Sequence, residues 1–139
     1  MLTDVLAEAR ALAARQADAG EIADAFERVV RSAAATPSVL AALADIPAGR
    51  ALIRFTDSDA AFEFAAGEGR LSIARAEKRG PGPKVDAASA TWLGLMAGTL
   101  KPWLAFTRGL VVCRAGLNEL RWLQQVAERI QRAYREAPP

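Results

Sequence analysis

Histidine is absent from the 139 residues, and with it go the Ser-His-Asp and Cys-His nucleophile systems, the histidine-based metal sites and the commonest general base at neutral pH. The one cysteine, Cys113, excludes an internal disulfide and suits a reducing compartment. No stretch approaches the roughly 18 uncharged apolar residues of a membrane span, so any contact with lipid is peripheral or internal. A surplus of charge of one sign is missing too. The 18 Lys and Arg face 16 Asp and Glu, and a net charge of +2 leaves no electrostatic footprint for nucleic acid. Asp4 and Glu8 stand where a signal peptide needs a basic start and an unbroken apolar run, so the expected location is the cytoplasm.

What is present is 52% hydrophobic and 24% charged, which predicts one soluble domain over residues 1–139. A chain of this length buries roughly 68 to 70% of its unfolded surface, enough for one core without a disulfide or structural metal. Composition shifts near residue 48, from an Ala-rich section (1–48) to a remainder (49–139) that holds Gly, Pro and all the aromatic residues except Phe26. Leu2, Val5, Leu6, Ala9, Leu12 and Ala13 fall on one face of a helix over residues 2–17. Gly20 is expected to break it, and Ile22, Phe26, Val29 and Val30 mark a second helix ending near Ala35. Thr36-Pro37 predicts a capped third helix before Val39, Leu40 and Leu43.

Beyond Pro47-Ala48-Gly49 the apolar period becomes two. Leu52, Ile53 and Phe55, then Phe62 and Phe64, then Leu71 to Arg75 read as a β-meander, with a short strand expected over Lys84 to Ala88. Thr91 to Ala97 reads as an apolar helix closed by Gly98, Pro102 to Phe106 as a compact apolar segment, and Leu110-Val111-Val112-Cys113 as a buried strand. From Leu117, the residues Leu120, Leu123, Val126, Ile130 and Tyr134 mark a terminal amphipathic helix.

Most small motifs have plain explanations. Gly67-x-Gly69 between two strands is a hairpin turn, since no helix start or phosphate-loop lysine follows. Asp57, Asp59 and Glu63 read as solvated acids at a strand end, and Cys113 as an inert core thiol. Arg121, Arg129, Arg132 and Arg135 alternate with Glu119, Glu128 and Glu136 and read as a mixed solvated face rather than a lipid-binding one. What stands out is the density of bulky apolar residues between Trp92 and Phe106. Alone, it predicts an ordinary core.

The order of elements adds to this. Phe62 to Arg75, Val85 to Ser89, Thr91 to Gly98, Lys101-Pro102-Trp103-Leu104-Ala105-Phe106, Gly109 to Cys113 and Leu117 onward follow one another as in the sterol carrier protein 2 family, which the chain resembles from about Leu52 to Tyr134. Leu95 to Pro102 with Phe106 and Gly109 is the most telling stretch. Two departures are Leu110, where members often carry a basic residue, and Ala115-Gly116, where they carry Gly-Asp. The resemblance implies an α/β (α+β) fold, a five-stranded, mainly antiparallel sheet covered by helices, here with an extra N-terminal helical section. It also implies an apolar tunnel between sheet and helices for a fatty acyl, sterol-like, phospholipid or isoprenoid ligand, without metal or cofactor. The expected lining is Phe62, Phe64, Trp92, Met96, Leu100, Trp103, Phe106, Leu123 and Ile130.

The expected function is therefore carriage of a hydrophobic ligand by a protein that is not an enzyme, with membrane contact at most peripheral. The rival expectation is an interaction or dimerisation module with a filled core, accessory to an enzyme of lipid or quinone metabolism. An enzyme would need a polar constellation that the scattered acids and arginines do not form. The N-terminal helices are expected to pack intramolecularly and shield the cavity. Heavy use of Ala and Arg points to a GC-rich bacterial source.

Overall fold

The computed structural model describes residues 2–15, 17–114 and 116–136; Ala115 of the departing pair lies outside them. Three helices come first: α1 (Leu2–Ala14), α2 (Ala19–Ala34) and α3 (Pro37–Ala42). The break between α1 and α2 falls before Gly20. The Asp18 carboxylate accepts the Glu21 N–H at 3.0 Å and starts α2 there, a capping bond that outweighs the lone glycine in the first turn. Thr36 does precede α3, but its hydroxyl donates back to the Ser32 carbonyl at 2.7 Å and caps nothing.

Five strands form one mixed sheet: β1 (Gly49–Phe55), β2 (Ala61–Gly67), β3 (Arg70–Arg75), β4 (Lys84–Ala87) and β5 (Val112–Cys113), in the order β3-β2-β1-β4-β5. That order makes β1 the central strand, and all pairings are antiparallel except β1 with β4. The meander expected from period-two spacing is β1-β2-β3. Its second turn is Glu68-Gly69 with φ of 53° and 76°, a two-residue hairpin loop with both central residues left-handed. Between β4 and β5 lie α4 (Ser89–Ala97) and α5 (Pro102–Thr107), and α6 (Leu117–Glu136) follows β5.

Register sorts the sheet into two faces. Ile53 lies opposite Phe62 on one side and Val85 on the other, and Phe55 and Phe64 share that face, which the helices cover. The other face carries Arg50 with Glu63 and Arg54 with Asp86, with Leu52 buried there beside the Gly80 turn. The buried core on the helical face is continuous from Leu6 and Leu12 of α1, through Phe26, Val29 and Val30 of α2, to Ile130 of α6. The N-terminal helices thus pack within the chain.

The strand expected over Leu110 to Cys113 is the least accurate element. Only Val112 and Cys113 pair, at the sheet edge, while Leu110 and Val112 are exposed and Cys113 is half-buried. The run Leu-Val-Val-Cys has no polar residue to mark its outward side, so its composition concealed which side chains face solvent.

Candidate functional site

The interior between sheet and helices is built from the residue types that the resemblance singled out. Phe62 and Phe64 project from alternate positions of β2, Trp92 and Met96 from successive turns of α4, and Leu123 and Ile130 from the inner stripe of α6. All six are at most 1% exposed. Leu100 and Phe106 are half-buried and pack on the margin of the same core. Trp103 stands apart, 52% exposed.

Phe26 of α2 sits within this interior. Its ring centroid lies 5.3 Å from Phe62, 5.7 Å from Phe55 and 6.3 Å from Trp92, so rings from α2, two strands and α4 close on one another. Such tilted and edge-on arrangements add to the apolar transfer that holds them. The Trp92 indole N–H donates to the Arg54 carbonyl at 3.1 Å, which fixes α4 to β1. Phe64 meets Trp122 of α6 at 6.3 Å, and the Trp122 N–H donates to the Pro47 carbonyl at 2.9 Å.

Polar groups enter at one end. Gln131, buried on the inner side of α6, donates through Nε2 to the carbonyls of Leu95 and Leu100 at 2.9 and 2.8 Å, holding α6 to the end of α4. Near it, Arg10 of α1 donates to the Ala97 carbonyl at 2.9 Å. The Tyr134 hydroxyl is buried with no hydrogen-bond partner among the described residues, and burial pushes its phenol far above the usual range. An orphaned buried hydroxyl of this kind is costly unless something else satisfies it. At this end the surface carries a groove of about 510 Å³ between α5 and α6, lined by Pro102, Trp103, Gln131 and Arg135 among others. Gln131 therefore belongs both to the core and to the groove floor.

The acids have structural duties. Asp57 accepts the Ser89 N–H at 3.0 Å and the Ser89 hydroxyl at 2.7 Å, serving as a remote cap for α4. Asp86 holds Arg54 in a two-bond fork at 2.6 and 2.9 Å and Arg114 at 2.7 Å, and these cations keep its carboxyl below the usual carboxylate range. Among the described residues no group of His, Cys, Asp and Glu has metal-ligand geometry, and no helix is long and apolar enough to cross a membrane.

Sequence reasoning missed Phe26, Phe55, Trp122, Gln131 and Tyr134 as parts of this site. Two signals were available: Phe26 is the one aromatic residue of the first section, and Gln131 is a polar residue one position after Ile130 on the apolar stripe of α6.

No family model and no curated protein matches the sequence. Solved structures do match in shape. A crystal structure of sterol carrier protein 2 superposes with a TM-score of 0.57 at 19% identity, covering 85% of this chain and 96% of that one. A conserved hypothetical protein of Thermus thermophilus, provisionally described as a sterol carrier protein, gives 0.51 at 22% identity over 86% and 90%. The UbiJ-SCP2 ubiquinone synthesis protein gives 0.52 at 9% identity over 86% and 96%. The chain has the sterol carrier protein 2 fold, as the order of its elements led us to expect.

Proposed function

We propose that the chain binds a hydrophobic ligand of acyl, sterol-like, phospholipid or isoprenoid class between its sheet and helices. Phe62, Phe64, Trp92, Met96, Leu123 and Ile130 form the walls, Leu100 and Phe106 the margin, and Trp103 the rim of the mouth. The observation that carries this reading is the fold shared with sterol carrier protein 2 over nearly the whole of both chains. The chemistry agrees with it. Apolar area is held at about 25 cal/mol per Å², with few polar groups to select a head, so ligands of similar width bind alike. The protein acts as a carrier rather than a catalyst, as one domain in a reducing compartment that suits its lone Cys113.

The rings of Phe55, Phe62 and Trp92 close on Phe26 and fill the space between sheet and helices. Binding then selects an open state in which α4 or α6 moves off the sheet, and the apparent affinity is the intrinsic one reduced by the open fraction. The unbranched Met96 side chain adapts to the new surface, and the orphaned Tyr134 hydroxyl gains a partner in a ligand's polar end.

The filled ring cluster favours a second reading. In it the interior stays closed and the protein is an interaction module, a reading with which the likeness to the UbiJ-SCP2 ubiquinone synthesis protein is compatible. Titration with a fluorescent polyene fatty acid separates the two. Saturable uptake at one site, with energy transfer from tryptophan to the probe, is expected of the carrier. Absence of saturable uptake contradicts it and leaves the module.

A further inference from the structure

Among the described residues, four large hydrophobic side chains are exposed, and all fall between positions 103 and 117: Trp103 at 52%, Leu110 at 42%, Val112 at 46% and Leu117 at 59%. Chain geometry places them on one margin. α5 and β5 both pack against α6, so the segment that starts at the C-terminal half of α6, beside Gln131 and Arg135, returns along that helix to its beginning at Leu117. The fifteen helical steps from Leu117 to Arg132 span about 22 Å, which sets the length of the strip. Leu110 and Val112 flank Val111, which is 5% exposed, so they point together away from the core. The turn that presents them is fixed, since the Leu110 N–H donates to the Ala105 carbonyl at 2.9 Å and Gly109 takes a φ of 71°.

Charge along the same segment has one sign. No Asp or Glu occurs between Asp86 and Glu119, whereas Lys101, Arg108 and Arg114 do. Arg114 is engaged by Asp86. Lys101 and Arg108 are exposed and make no ion pair among the described residues, and Arg135 on α6 adds a third cation beside Trp103. Two acids border the strip: Glu128, which accepts from Gln124, and Glu119 at the start of α6.

We propose that this margin, formed by α5, the turn at Gly109 and β5, docks on an anionic membrane surface. The exposed apolar side chains are few and share the margin with the unpaired Lys101 and Arg108, a mixture that suits a charged bilayer surface better than the charge-depleted core of a protein interface. Each can enter the headgroup boundary on its own, with Trp103 at the depth where an amphipathic ring is most favourable. The unpaired cations face the phosphates, each contributing about a fivefold gain in partitioning near a surface of this charge. This docking differs from ligand uptake, and the two fail independently, because one is read as vesicle partitioning and the other as probe binding.

The test is co-sedimentation of the full chain with vesicles of phosphatidylcholine alone and with an equal mixture of phosphatidylcholine and phosphatidylglycerol, in low and high salt. The expected result is at least ~tenfold stronger partitioning onto the anionic vesicles, falling with salt. The triple variant L110S/V112S/L117S loses most of it, again about tenfold or more, and so does K101E/R108E. Both keep the wild-type melting midpoint because all five positions are exposed or on the strip's outer side. Arg70→Glu, on the opposite edge strand β3, leaves partitioning unchanged. Equal partitioning onto both vesicles, no partitioning onto either, or full retention by the two strip variants overturns the proposal. The second of these outcomes leaves the margin to a protein partner.

Discussion

A few side chains fix the frame on which the site depends. Asp86 is 8% exposed and holds two guanidinium groups, so Asp86→Asn leaves the half-buried Arg54 without a counter-charge and lowers stability at neutral pH by about 2 to 3 kcal/mol, measured by urea unfolding. The pH dependence follows from the depressed carboxyl. Its folded value lies below the ordinary one of about 3.9, so its contribution is complete above that value and is lost as pH falls through the folded value. Unfolding curves between about pH 5 and 2 therefore show a shallower loss of stability in Asp86→Asn than in wild type. At Gly49 a Cβ would lie 2.5 Å from the Trp122 ring, and Gly49→Ala is expected to cost about 1 to 3 kcal/mol by pushing α6 off β1. At this scale the turn glycines were legible in the sequence, because a positive φ leaves few choices of residue. The duties of Asp57 and Thr36 were not. A short polar side chain at a loop fits several hydrogen bonds equally well, and only the fold decides that Asp57 reaches Ser89, more than thirty positions away, while Thr36 turns back to Ser32.

Periodicity made α2, α6 and the meander readable, because each has one apolar side and one wet side. It could not orient α4, which is buried nearly all round among α1, α2 and α6 and shows no polar stripe. Nor could it show that α2 lies against both β3 and α4, with Phe26 completing the ring cluster. That placement makes the first two helices part of the core. Deleting residues 1 to 35 removes Phe26, Val29 and Val30, each fully buried, and the truncated chain is expected to lose cooperative thermal unfolding. A truncated chain that still melts in one sharp transition contradicts this role for α1 and α2.

The molecule as a whole combines a closed aromatic interior with a fold whose solved relatives in shape include sterol carrier protein 2. A closed interior that opens for ligand predicts an unusual response to truncation of its central ring. Phe26→Ala costs about 3 to 5 kcal/mol in the free protein, since a large buried ring is replaced by a cavity. An acyl ligand then fills that space, so the same variant is expected to bind the polyene fatty acid more tightly than wild type and to regain most of its melting midpoint on binding. An interaction module with no ligand shows the same destabilisation and no recovery. Of the nine residues proposed to line the site, six are buried in the core, Leu100 and Phe106 lie at its margin and Trp103 is exposed, a division the sequence did not show because a bulky apolar residue reads alike in each place.

The most direct measurement is native mass spectrometry of the protein as purified from its expression host, with solvent extraction and identification of whatever dissociates. A carrier is expected to hold a fatty acid, phospholipid or isoprenoid at near-stoichiometric level, or to take one up to that level from a mixed lipid extract. A clean unliganded mass that persists after incubation with that extract would contradict the carrier reading.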